Sequence, residues 1–404
     1  MKYIVILGDG MADYPIAELG NRTPLEAAKT PHIDALAKKS EIGLVKTVPD
    51  GMKPGSDVAN LSVLGYDPAV YYSGRSPFEA ASIGIPLKDT DVTFRANLVT
   101  LGGGEDFEDA VMLDYSAGEI STAEAKELIS FLAEKLDAEN AKLYAGMSYR
   151  HCLVLSEGSA QTELTPPHDI TGRPVRGYLP QGEGARFLLS LMEKSRKLLK
   201  DHPVNRAREA AGKRPASSLW FWGAGRKPKL DGFEKKFGKK GVMISAVDLL
   251  KGIGKLTGMQ VPDVKGATGN YDTDFTAKAR AALDAFDGGA DFAYIHMEAP
   301  DECGHQGDLA HKIYSIEQID QKVAGFLIPE MERRGEPFSV LLLPDHPTPV
   351  AVRTHVSDPV PYLLYRSGES ASVGRAEVYS ERAAADTGVF VPAGYELMKK
   401  FLMR

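Results

Sequence analysis

Six side chains of this sequence have the types and spacing to hold a metal: Asp9, Asp301, His305, Asp345, His346 and His355. Asp345 and His346 follow an apolar run, Val340 to Leu343, of strand length. A proline-broken loop after them delivers His355. Asp9 sits in Gly8-Asp9-Gly10, directly after the β-rich run Tyr3 to Leu7. Asp301 and His305 follow the run 291–297, DFAYIHM, at a spacing that brings a carboxylate and an imidazole together in one turn. Three acids and three imidazoles mix hard oxygen with nitrogen donors. That mixture suits Mn²⁺, Zn²⁺ or Mg²⁺ better than Ca²⁺ or a thiolate-bound ion. The donors suffice for two ions, and a two-metal site stabilises the attacking and leaving oxygens of a phosphoryl transfer. Alone, a glycine-flanked acid is a turn and a single imidazole is core or surface. Three strand ends that all finish in donors are poorly explained that way.

Ser56, in Pro54-Gly55-Ser56-Asp57, stands just before Val58, Leu61 and Leu64 at helical spacing. Two readings stay open. One is a plain N-cap. The other is a nucleophile: backbone N–H groups at a helix start favour an incoming phosphoryl group, and a neighbouring metal favours the alkoxide.

The elements that must position these residues are legible as α/β. Strands are expected over Tyr3 to Leu7, Ile42 to Val48, Gly241 to Ala246, 291–297, Val340 to Leu343 and Tyr362 to Tyr365. Helices are expected from Pro31, with Thr30 as N-cap, and over Val247 to Leu256, Ala277 to Phe286, Leu309 to Met331 and Tyr395 to Met403. Ligands in such open sheets bind at the carboxyl edge of the strands. The pattern changes over about 66–234, which reads as an inserted α+β domain, with 1–65 and 235–404 forming the first. The insert holds a strand over Asp91 to Leu101, a turn at Gly102-Gly103-Gly104 and an amphipathic helix over Thr122 to Leu136. Its Arg150-His151 and His168-Asp169 lie on short loops and suit an anionic substrate.

With 404 residues, 43% hydrophobic and 25% charged, the chain has material for two domains and an ordinary globular core. A formal net charge of -7 gives nucleic acid no global support. The basic runs Lys194 to Lys200 and Lys235 to Lys240 alternate with apolar residues and read as solvated helix faces. Two cysteines, Cys152 and Cys303, form no disulfide framework and suit a reducing compartment. No run approaches a membrane span and the N-terminus lacks a signal-peptide pattern, so a cytoplasmic protein without a membrane or nucleic-acid partner is expected. A GxxxxGK[ST] loop and a dinucleotide fingerprint are both absent from the sequence.

Over nearly its whole length the sequence resembles the cofactor-independent phosphoglycerate mutases of the short, archaeal-type form, within the alkaline phosphatase superfamily. The resemblance rests on Gly8-Asp9-Gly10, Thr30 to Asp34, Pro54 to Asp57, Pro167 to Asp169, Gly266 to Gly269, Ala299 to Asp301 with His305, and Asp345-His346 with His355. It implies an alkaline-phosphatase-like, mostly parallel sheet flanked by helices, with a smaller substrate-binding insert. It implies Ser56 as nucleophile, one ion on Asp301, His305 and His355, and another on Asp9, Ser56, Asp345 and His346. Mn²⁺ is the first expectation, with Zn²⁺, Mg²⁺ or Co²⁺ as others. Arg150, His151, His168 and Asp169 are candidates to hold the glycerate moiety, and Arg75, Arg226 and Lys265 its phosphate or carboxylate. The implied activity interconverts 3-phosphoglycerate and 2-phosphoglycerate, a glycolytic isomerisation, through phosphoserine at Ser56, with water excluded by domain closure. Alternatives within the same chemistry are a homoserine-kinase-like phosphotransferase and a metal-dependent phosphatase.

Overall fold

The structure is a computed structural model that describes residues 1–104, 106–136, 139–369 and 371–403. Its strands are β1 Lys2–Gly8, β2 Glu41–Val45, β3 Val92–Gly102, β4 Val111–Asp114, β5 Ala141–Met147, β6 Arg150–Leu155, β7 Ser218–Arg226, β8 Gly241–Ile244, β9 Phe292–Met297, β10 Phe338–Leu343, β11 Val360–Arg366 and β12 Phe390–Val391. The chain divides into two compact units, Met1–Tyr72 with Lys229–Arg404, and Ser73–Pro228.

The first unit is built on a seven-stranded sheet in the order β12-β2-β11-β10-β1-β9-β8. Only β11 runs antiparallel to its neighbours. Apolar runs such as YIVIL, FAYI and VLLL are buried throughout, as strands covered on both faces require. The adjacent parallel strands β9, β1 and β10 are in register with Leu7 beside both His296 and Leu343. Their carboxyl ends therefore share one edge. The residues that follow those ends are Asp9, Glu298 to Asp301, and Asp345-His346.

The expected helix from Leu309 onward is interrupted. Helices Leu309–Gln318 and Gly325–Arg334 are joined by a π-helical segment, Ile319–Ala324. Within it, buried Asp320 accepts the backbone N–H of Ile33 at 2.8 Å. Ile33 is the third residue of helix Pro31–Ala37, whose flanking Thr30 makes no side-chain cap bond. A distant carboxylate thus caps that helix where the neighbouring hydroxyl was expected to.

The second unit carries an all-antiparallel five-stranded sheet, β4-β3-β6-β5 with β7 also on β3. Helices Thr122–Lys135 and Ala185–Leu199 bury Leu128, Ile129, Leu132, Leu188, Leu191 and Leu199 with Trp220 in its core. The basic run beginning at Lys194 falls on the second of these helices, which buries one face and leaves the other to water. The cuts between the units lie at 72/73 and 228/229 instead of 65/66 and 234/235. The reason is local: Tyr66 Oη donates to the Asp231 carbonyl at 2.7 Å and Tyr71 Oη to Asp231 Oδ2 at 3.2 Å, fastening both chain crossings to the first unit.

Candidate metal centre and nucleophile

Two groups of donors lie within one another's reach in the first unit, Asp9 with Asp345 and His346, and Asp301 with His346 and His355. His346 belongs to both. Its Nε2 is 3.3 Å from Asp345 Oδ2 and 3.6 Å from Asp9 Oδ1. His305 joins the second group, with Nε2 3.3 Å from Asp301 Oδ2 and 2.9 Å from His355 Nε2. His355 Nε2 is 3.5 Å from Asp301 Oδ1. Asp301 and His305 lie four residues apart on helix Ala299–Gln306, as the spacing predicted.

Ser56 is the first residue of helix Ser56–Val63, and Gly55 takes the cap position. The serine Oγ makes no cap bond and instead lies 3.1 Å from His346 Nε2. The plain N-cap reading is thereby set aside. Asn60, one turn on, donates to the Ser56 carbonyl and to Asp345 Oδ2, both at 2.8 Å, and accepts from Tyr294 Oη at 2.6 Å. Asp345 Oδ1 accepts the N–H groups of Gly10 at 3.1 Å and His346 at 2.9 Å. Gly10 has φ of +60°, and a Cβ there would lie 2.6 Å from both Asp301 Oδ1 and Thr348 Oγ1. Only glycine fits so close to the site.

The electrostatics ask for positive charge. Burial, then Asp345 and Asp301, push the Asp9 carboxyl well above the usual range, against the pull of His296. Burial also opposes ionisation of Asp301, yet the imidazoles of His305, His355 and His346 hold it well below the usual range. The Asp301 hydrogen bond pushes His305 up to about 9. Asp9 Oδ1 is buried without a hydrogen-bond partner. The His305 and His355 Nε2 atoms lie 2.9 Å apart, within hydrogen-bonding distance and close enough to serve one ion. His305 Nδ1 lies 3.1 Å from the Arg353 carbonyl, which fixes the proton on that nitrogen and leaves Nε2 as a donor to metal. The residues fit divalent ions.

Behind Asp9 lies a buried chain of alternating charge that sequence reasoning missed. His296 Nε2 is 2.9 Å from Asp9 Oδ2, off the N–H axis, and its Nδ1 is 3.1 Å from Glu298 Oε1. Glu298 in turn pairs with Lys278 and accepts from Ser245 Oγ at 2.8 Å. Burial disfavours charge on His296, but Glu298 and Asp9 push it up to about 10. The available signal was a histidine and a glutamate two residues apart, on one face of an otherwise apolar strand end.

In the second unit the candidates divide. Burial works against ionised Glu79, yet Arg95, Arg75 and Arg150 together hold its carboxyl below the usual range. Arg95 Nε is 2.8 Å from Glu79 Oε2 and its guanidinium stacks 4.1 Å from the Trp222 ring. Arg75 Nε is 2.9 Å from Glu79 Oε1. His168 packs edge-on against Trp222 at 5.2 Å, with its Nε2 3.6 Å from exposed Asp169. Three guanidinium groups around one carboxylate leave excess positive charge, and Arg95 is the member that sequence reasoning missed. His151 does not face the same way. It is buried, and its Nδ1 accepts the Gly146 N–H at 3.1 Å, which ties the β5–β6 hairpin. Arg226 donates to the carbonyls of Thr90 at 2.8 Å and Gly158 at 2.7 Å, closing its own unit. Lys265 is an exposed side chain of the first unit.

A mostly parallel sheet with acids and imidazoles gathered at its carboxyl edge defines an α/β protein of the class that holds divalent ions there. Comparison with known proteins narrows this. The family model for 2,3-bisphosphoglycerate-independent phosphoglycerate mutase matches residues 37–205. A Methanosarcina mazei protein of that name is 49% identical over 95% of each chain. A Geobacter sulfurreducens protein named as a probable enzyme of the same kind is 48% identical over 100% of both. Among solved structures, the cofactor-independent phosphoglycerate mutase of Thermoplasma acidophilum superposes with a TM-score of 0.66 at 27% identity, covering 100% of this chain and 99% of that one. A Pyrococcus horikoshii protein superposes with a TM-score of 0.82 at 28% identity, covering 99% and 97%. The chain belongs to the 2,3-bisphosphoglycerate-independent phosphoglycerate mutase family.

Proposed function

We propose that this protein interconverts 3-phosphoglycerate and 2-phosphoglycerate by passing the phosphoryl group through Ser56. The observation that carries the reading is the Ser56 hydroxyl, free of any cap bond and 3.1 Å from His346 Nε2, at a helix start among the acids and imidazoles. Asp301, His305 and His355 would hold one divalent ion, and Asp9, Ser56, Asp345 and His346 a second, Mn²⁺ being the first choice on donor chemistry. Bound there, such ions supply Lewis-acid neutralisation of the charge on the transferring phosphoryl group and favour the ionised serine.

The chain's own residues do the rest. Ser56 Oγ, held 3.1 Å from His346 Nε2, would give up its hydrogen to water as the ionised form is favoured, which leaves an Oγ lone pair for in-line attack on phosphorus. The amide end of helix Ser56–Val63 favours the incoming phosphoryl oxygens. Asn60 fixes the serine backbone and Asp345 together, so nucleophile and ligand keep one geometry. Arg75, Arg95 and Arg150, with His168 beside them, form a cationic cluster suited to the glycerate carboxylate. Glycerate then takes the phosphoryl group back on its other hydroxyl.

The test is a trapped intermediate. Protein incubated with 3-phosphoglycerate and Mn²⁺, then acid-quenched and digested, should yield a phosphorylated peptide containing Ser56. Phosphate found only on another residue would overturn the reading.

A further inference from the structure

Thr348 contacts both donor groups. It is buried, with Oγ1 2.5 Å from Asp301 Oδ1 and 3.2 Å from His346 Nδ1. Asp301 is a carboxylate and only accepts, so the threonine hydrogen points to it. The hydroxyl then has only lone pairs to offer the imidazole. His346 must therefore carry its proton on Nδ1, which leaves the Nε2 lone pair facing Ser56, Asp345 and Asp9.

The hydroxyl is not free to swing away. The Thr348 carbonyl accepts from buried Lys312 Nζ at 2.8 Å, and its N–H donates to the Ala12 carbonyl at 3.3 Å. Lys312 Nζ also bonds Asp13 Oδ2 at 2.8 Å. On the other side, a Cβ on Gly304 would lie 2.4 Å from the Thr348 carbonyl oxygen, so the helix carrying Asp301 packs directly on this loop.

We propose that the Thr348 hydroxyl is a positioning group that fixes the His346 tautomer and couples the two ion sites through one hydrogen-bonded chain, His346 Nδ1–H to Thr348 Oγ1–H to Asp301. The coupling rests on the reading of Asp301 and His346 as ligands of two separate ions. The tautomer does not.

Two measurements test this. Calorimetric titration with Co²⁺, together with the visible spectrum of the bound ion, compares the wild type with Thr348→Val and Thr348→Ser. Losing such an outer hydrogen bond weakens metal binding about 10- to 100-fold. Thr348→Val should weaken both binding events to that extent and change the Co²⁺ absorption, and Thr348→Ser should restore both. Unchanged affinities, weakening of a single event, or no rescue by serine overturns the coupling. The second measurement needs no Thr348 variant. In metal-free wild-type protein labelled with ¹⁵N in its imidazoles, the His346 signals, identified by their loss in His346→Asn, should report hydrogen on Nδ1. Hydrogen on Nε2 overturns the tautomer. A wild type that binds no Co²⁺ would overturn the two-ion reading and the coupling with it, while the nitrogen signals still decide the tautomer.

Discussion

His151 shows what one buried side chain does to the pH behaviour of this protein. Burial pushes its imidazolium down to about 3. In the unfolded chain an imidazole titrates near about 6.5. Below that pH the unfolded chain binds a proton that the folded one refuses. Stability from neutral His151 is therefore fully present above about pH 6.5 and is lost as pH falls toward 3, by up to about 1.4 kcal/mol per pH unit. His151→Asn keeps an acceptor for the Gly146 N–H and removes the titration. Urea unfolding of both proteins between about pH 4 and 8 should show the wild type losing stability relative to the variant only below about 6.5. Parallel curves would refute it. At this scale the candidate ligands were legible because Asp9, Asp301 and Asp345-His346 each follow an apolar run. Arg95, Asn60 and Thr348 stayed hidden, because a buried pairing such as Arg95 with Glu79 is made by tertiary packing and leaves no local pattern.

Three adjacent parallel strands do the positioning. With β9, β1 and β10 in register, their carboxyl ends deliver three acids to one edge, and the loop after β1 must then pass the helix carrying Asp301 with no room for a side chain. Gly10→Ala meets Asp301 and Thr348 and forces an L-residue into left-handed backbone. The combined strain and overpacking should cost about 2–4 kcal/mol. Chemical denaturation reads this as a lower midpoint at unchanged slope, and a variant as stable as the wild type would contradict the packing. Strands and most helices were legible here from apolar run length. The π segment at Ile319–Ala324 was not, because the sequence there keeps a helical apolar face. Within it Asp320 accepts the Ile33 N–H, a distant partner that no local pattern records.

On the scale of the whole molecule, the chain forms two units with separate cores. All seven residues proposed around the ions belong to the first unit, and the Arg75, Arg95 and Arg150 cluster belongs to the second. The change of pattern near residue 66 announced the insert. The two compact units divide at 72/73 and 228/229, and Tyr66 and Tyr71 both bond Asp231 within the first unit, a pairing no composition shift records. Ions that bind only the folded first unit stabilise it by mass action, about 2.7 kcal/mol per site at a hundredfold excess over Kd. Calorimetric scans should show a metal-dependent transition that rises by several degrees with Mn²⁺ and falls back with a chelator, while the transition of the second unit stays in place. A scan indifferent to Mn²⁺ would argue against the centre. Among the described residues no helix is long and apolar enough to cross a membrane.

The account stands most directly on turnover by Ser56. Formation of 2-phosphoglycerate from 3-phosphoglycerate, followed through a coupled assay with Mn²⁺ and without added bisphosphoglycerate, should proceed in the wild type. It should fall to background in a Ser56→Ala protein that still folds and still binds metal through its remaining ligands. Wild-type turnover retained by Ser56→Ala would contradict the phosphoserine route.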